Sequence, residues 1–215
     1  MVERPRRPGL LFEELEDGDE SSFVLDRSHD GVAFTDVDLT GERLFDRDLV
    51  ECVLRGARLD DANLRGSRLR ETRVERAEAT TVRLDHTDLR EVELDSCRFG
   101  ALDLFDSQVR IVRFSGCRLG YVNLRGSELI DVTFEDCTIT DLDLGGATVS
   151  RLALPGCRVD TLLVREARLS DVDLRGLTGL QEITGVEGLR GATIGPDQLT
   201  DLAPILAAHF GIEIG

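Results

Sequence analysis

Read for its apolar positions, the chain keeps a single period over most of its length. Stepping by five from Phe34 lands on Leu39, Leu44, Leu49, Leu54, Leu59, Leu64, Leu69 and Val74, and beyond Ala79 on an uninterrupted series from Leu84 to Leu174. Of these 29 positions, 28 are large and apolar; in a chain that is 41% hydrophobic, about 12 would be so by chance. A step of five suits neither the 3.6 of a helix nor the 2.0 of a flat strand. It predicts a chain that turns a corner every five residues and sends one side chain per step into a shared core. The residue two before each centre is predicted to point inward as well, as at Ala57, Ala62, Ser67, Val92, Cys97, Leu102, Ser107, Val112 and Cys117. The other three positions in each five are rich in Asp, Glu, Arg, Thr and Gly, which suits solvent.

A longer period is superimposed. Val92, Val112, Val132, Leu152 and Val172 recur every 20 residues, and so do Cys97, Cys117, Cys137 and Cys157. Twenty residues are therefore one coil with four sides. Strands stack ~4.8 Å apart, so about seven coils make a rod roughly 34 Å long. Glu42 and Arg47 stand at positions meant to be small and inward, and Ala79 at a centre; an irregular first coil and a weak point near Ala79 are expected.

The units Ala62-Asn63-Leu64-Arg65-Gly66, Val122-Asn123-Leu124-Arg125-Gly126 and Val172-Asp173-Leu174-Arg175-Gly176 resemble those of the pentapeptide-repeat family. The resemblance covers roughly residues 30–178. It implies an all-β fold, a right-handed quadrilateral β-helix, completed here by a short C-terminal helix. Residues 1–29 then form an acidic tail with a possible cap, 30–178 the solenoid, and 179–215 a C-terminal cap.

The ends break the pattern. Glu13, Glu14, Glu16, Asp17, Asp19 and Glu20 predict a mobile acidic tail, with a capping strand near Phe23–Leu25, since an open solenoid end exposes backbone and core. Beyond Arg175 the period fails. Gly195-Pro196 then opens a helix with the stripe Leu199, Leu202, Leu206 and Phe210, which Pro204 should kink or split and Gly211 should stop. The segment from Gly191-Ala192-Thr193-Ile194 through Gly215 resembles the C-terminal end of the mycobacterial fluoroquinolone-resistance members of the family. The resemblance implies a homodimer through Leu199, Leu202, Ile205, Leu206, Phe210, Ile212 and Ile214; a monomeric cap is the alternative.

Charge narrows the function classes. There are 26 basic residues, all Arg, and 42 acidic ones, for a net −16. A protein that coats nucleic acid needs a basic face, so nucleic acid is not an expected partner. Residues 31–175 carry only −7 of the total. One corner column reads Glu51, Glu71, Glu91, Ile111, Asp131, Arg151, Asp171, with Glu93, Asp95, Glu135, Asp136 and Asp173 near it. The family resemblance implies that such an acidic face binds DNA gyrase or topoisomerase IV as a mimic of duplex DNA, protecting the enzyme from quinolones. The alternative is a scaffold for another protein, using the outward Phe105, Tyr121, Ile111 and Ile130.

No catalytic, metal or cofactor motif is present. His29, His86 and His209 are far apart and fit no ligand or nucleophile spacing. The Cys column reads as small buried hydrophobes, and Gly56, Gly66, Gly116, Gly126, Gly146, Gly156 and Gly176 as corner residues suited to positive φ. No segment reaches the ~18 apolar residues of a membrane span, and the four apolar residues after Arg7 are too few for a signal peptide. A cytoplasmic protein is expected.

Overall fold

A computed structural model describes residues 2–12 and 14–213. The five-residue step closes into a parallel β-solenoid of about nine turns. Each regular coil spends eight residues in one sheet, as in Asp88–Asp95, Gln108–Ser115 and Glu128–Glu135. Six more lie in a second sheet, as in Arg98–Asp103, Arg118–Asn123 and Thr138–Asp143, and turns fill the rest. Every pairing is parallel, and the register advances by 20 from Ala33↔Val53 to Asp173↔Thr193.

The ladder also runs past the repeat at both ends, which is why there are more turns than seven. Glu16–Gly18 pairs with Val32–Phe34 at a step of 16, and Glu182–Thr184 pairs with Thr161–Leu163 at a step of 21. Both steps lie where the five-residue pattern fails. Ile183 and Leu177 are buried there and keep the core closed.

All the centres from Phe34 to Leu174 are buried except Leu169, which is half-buried. Each buried Leu contributes about 1.5–3 kcal/mol of transfer free energy. Phe114 and Phe134 stack with centroids 4.4 Å apart. The small inward positions form columns of their own. Along one, the Thr87 amide donates to Ser107 Oγ and the Ser107 amide to Ser127 Oγ, so the buried hydroxyls are satisfied one coil at a time. Cys97, Cys117, Cys137 and Cys157 form another, and all five thiols are buried and free. Burial pushes the Cys52 thiol up. A cavity of about 40 Å³ lies in the core among residues from Leu49 to Phe99; Leu59 and Phe99, the column neighbours of Ala79, line it, but Ala79 itself does not.

Three of the four corners are left-handed. Gly56, Gly66, Gly116, Gly126, Gly146 and Gly156 have φ between 59° and 74°, but Gly176 does not. A Cβ at Gly176 would stand 2.9 Å from the Pro155 backbone, so close approach is what requires glycine there. Among the described residues, sixteen that are not glycine also take positive φ, from Asp36 to Asp171.

The N-terminal cap differs from the expected strand at Phe23–Leu25. That segment belongs to a short helix, α1 (Glu20–Leu25), opened by an Asp19–Ser22 capping box. Its Phe23 is fully buried, edge-on to Phe34 and stacked on His29. Burial pushes His29 below its ordinary value. Arg47, misplaced by the pattern, has a purpose here: its guanidinium donates to the Asp26 and Val24 carbonyls at the end of α1.

At the other end, α2 (Pro196–His209) runs unbroken through Pro204 and stops at Gly211, φ 69°. Gln198 Nε2 ties it to the Leu174 and Leu177 carbonyls of the last coil. Among the described residues no helix is long and apolar enough to cross a membrane.

Candidate recognition face

The four-sided coil places all ten predicted acidic residues on one side of the rod and its two bounding corners. Glu51, Glu71, Glu91, Asp131 and Asp171 stack along one corner. Glu93, Asp95, Glu135 and Asp173 line the side itself, and Asp136 sits on the far corner. Their electrostatic states differ. Among the described residues, Glu51, Glu71, Glu91, Asp95 and Asp136 make no ion pair. Glu93 pairs with Arg73 at 2.9 Å, Glu135 with Arg113 at 2.7 Å, and Asp173 with Arg175 at 2.6 Å.

Asp131 departs most from the expected exposed carboxylate. Its side chain is 0% exposed. Arg151 donates to both its oxygens, at 2.6 and 3.0 Å, and Arg6 adds its amide at 3.0 Å and Nε at 2.7 Å. Burial pushes this carboxyl up, but the two arginines outweigh it and hold it at about 2. Glu135 is likewise held below the carboxylate range by Arg113, against its burial.

Arg6 reveals what the sequence did not. Residues 2–12, expected to be mobile, lie lengthwise along this side. The Glu3 amide donates to Asp171 at 3.2 Å, Arg7 reaches Glu135 at 3.3 Å, and the Phe12 ring lies 5.2 Å from the Arg73 guanidinium carbon. The segment therefore descends from one of the last coils toward the first, where Glu16–Gly18 joins the ladder. The signal was present as Arg4-Pro5-Arg6-Arg7-Pro8, a basic run among acidic residues.

The corner residues show a second regularity. Of the 16 non-glycine residues with left-handed φ, eleven are Asp or Glu. Asp tolerates this conformation, but Glu has no such preference. Glu51, Glu71 and Glu91 therefore owe their place to something other than backbone geometry.

The other predicted surfaces are dispersed. Phe105 is half-exposed beside His86, and Tyr121, at the other edge of the same side, donates its hydroxyl to Asp143 at 2.9 Å. Burial and Asp143 push this phenol up to about 12. Ile111 and Ile130 are neighbours in successive coils. The predicted α2 stripe also divides: Leu202 is buried and Ile205 and Leu206 pack partly on the last coil, while Leu199, Phe210 and Ile212 are exposed. Ile214 lies outside the described residues. Among the described residues no group of three or more His, Cys, Asp or Glu is arranged to hold a metal ion.

A family model for pentapeptide repeats matches residues 48–85 and 112–151, in eight copies. No curated protein matches the chain. Among solved structures, QnrB1, a plasmid-mediated fluoroquinolone resistance protein, is similar in a trypsin-treated variant: 16% identity, 93% of this chain and 96% of that one covered, TM-score 0.36. Its full-length form gives 16% identity, coverage of 89% and 94%, and a TM-score of 0.31.

Proposed function

We propose that this chain, whose residues 48–85 and 112–151 match the pentapeptide-repeat model, acts by recognition alone, as a mimic of duplex DNA that binds a type II topoisomerase. DNA gyrase or topoisomerase IV is the partner, and the outcome is modulation of the enzyme or its protection from quinolone-type poisons. The observation that carries this reading is the open ridge Glu51, Glu71, Glu91, one unpaired carboxylate per coil. Coils ~4.8 Å apart give a charge spacing of the same order as the ~3.4 Å between phosphates on one DNA strand. Like charges so stacked are mildly unfavourable in the free protein, and a cationic partner relieves them.

No reaction is assigned to the rod. The exposed Leu199, Phe210 and Ile212 on and beyond α2 suit a homodimer in which the acidic ridges extend along a longer axis. A scaffold reading would place its contact at the Ile111–Ile130 pair or on the side that carries Phe105 and Tyr121.

Supercoiling by gyrase, with and without a quinolone, tests the reading. Inhibition or protection is expected from the wild type and its loss from Glu51→Arg/Glu71→Arg/Glu91→Arg; a wild type with neither effect overturns it. A strict monomer in solution would remove the dimer alone.

A further inference from the structure

The side of the rod beneath residues 2–12 is shaped as well as charged. Toward the C-terminal coils its outward residues are small: Thr133, Ala153, Pro155 and Gly176 form the floor of a trough that Arg4, Pro5 and Arg7 enter. In the N-terminal coils the same column holds the larger Arg73, Glu93 and Arg113. Beside the trough Asp131 is fully buried, and each of its oxygens, already accepting from Arg151, accepts a second bond from the arm: Oδ1 from the Arg6 amide and Oδ2 from Arg6 Nε.

The occupant has a matching character. Val2, Pro5 and Pro8 are half-buried while the residues between them are exposed. Three residues per turn is the period of a polyproline II segment, and two prolines in seven residues hold the chain near that conformation. Among the described residues, no backbone-to-backbone hydrogen bond ties residues 2–12 to the rod. Arg6 and Arg7 remain 68% and 63% exposed in their ion pairs, and Leu11 is 88% exposed. The arm is held by side chains at its surface, so it can leave without opening the β-ladder.

We propose that this trough is a binding site for an extended, arginine-bearing peptide segment of a partner protein, and that residues 2–12 are its resident occupant, displaced when the partner docks. The arm shows the chemistry that fits: a guanidinium and a main-chain amide on Asp131, a second guanidinium on Glu135, an amide on Asp171, and prolines on the small-residue floor. Being tethered, the arm competes at an effective concentration on the order of millimolar. Only a segment that engages several of these points at once displaces it, which makes the arm a filter against isolated basic side chains. The site is independent of the topoisomerase reading, because it is a different part of the face from the Glu51–Glu71–Glu91 ridge.

The test uses a fluorescent synthetic peptide with the sequence of residues 2–12, titrated in trans into full-length protein. Arg6→Glu repels its own arm from Asp131; Arg6→Ala/Arg7→Ala releases it without adding charge. Both variants should bind the peptide, and the wild type should bind it about tenfold or more weakly. Adding Glu135→Gln to the open variant should weaken binding, and a peptide with glutamine in place of Arg6 and Arg7 should not bind. Equal binding to wild type and open variants overturns the proposal, as does failure of both variants to bind while their circular dichroism shows the solenoid intact. No topoisomerase is present, so this outcome and that of the supercoiling assay are read separately.

Discussion

The acidic corner has two halves that share a column, a spacing and a backbone conformation, yet differ in state. Glu71 and Glu91, φ 49° and 54°, are free of ion pairs among the described residues; Asp131, φ 59°, is fully buried under two arginines. The difference originates off the column, in Arg151 one coil later and in Arg6, 125 residues earlier. Formal charge therefore measures neither the charge a surface offers nor the stability its residues confer. A carboxylate stacked on its like is a mild liability, whereas one enclosed by guanidiniums becomes a structural post whose removal leaves charges without partners.

The sharpest way to break this comparison is to remove one member from each half. Asp131→Ala strands Arg151 and is expected to lower stability by about 3 kcal/mol, the low end of the range for a broken buried pair, because its partners reach solvent. Glu71→Ala should stay within about 0.5 kcal/mol of the wild type in urea unfolding. Similar losses from both would erase the distinction.

Acid comes next. The folded Asp131 carboxyl at about 2 lies below the ordinary ~3.9, so the stability it confers is complete above about pH 4 and lost as pH falls through about 2. The Nε–H resonances of Arg6 and Arg151 should move together in that window; movement at higher pH would contradict the depressed carboxyl.

Salt separates the arm from the post. Raising ionic strength from about 0.1 to 1 M shortens the screening length from ~10 to ~3 Å. The exposed pairs of Arg6 and Arg7 should weaken and trypsin should cut the Arg6–Arg7 bond several-fold faster, the Arg7–Pro8 bond being resistant to it, while the rod's circular dichroism stays unchanged. The smallest effect is expected at the open half: Glu71→Arg should raise stability by a few tenths of a kcal/mol by relieving repulsion along the column.

Some of this is legible in the amino-acid sequence alone. The corner column can be read because a five-residue step and a 20-residue coil fix which residues align, whatever they are. Side-chain direction follows from the same arithmetic, which is why Ala57 and Cys97 are as buried as Leu104. Arg47 is legible only as a misfit, since its partners are carbonyls of α1, a helix outside the repeat. Phe23 is recognisable as a plug but not as helical, because the Asp19–Ser22 box spans a single short turn amid acidic residues. The Arg-Pro run can be seen; its trough cannot, since the floor comes from residues 20 apart and a buried Asp131 stands beside it.

By itself the sequence determined the period, the four sides, the core columns and the side on which the carboxylates gather, because these follow from repetition and need no distant contact. The tertiary structure decided which carboxylates remain available. That depends on Arg6 and Arg7 lying over coils more than a hundred residues further along, and on small residues in successive coils making room for them. Coulomb pairing and steric fit act between positions that no repeat relates, so only the folded chain could settle them.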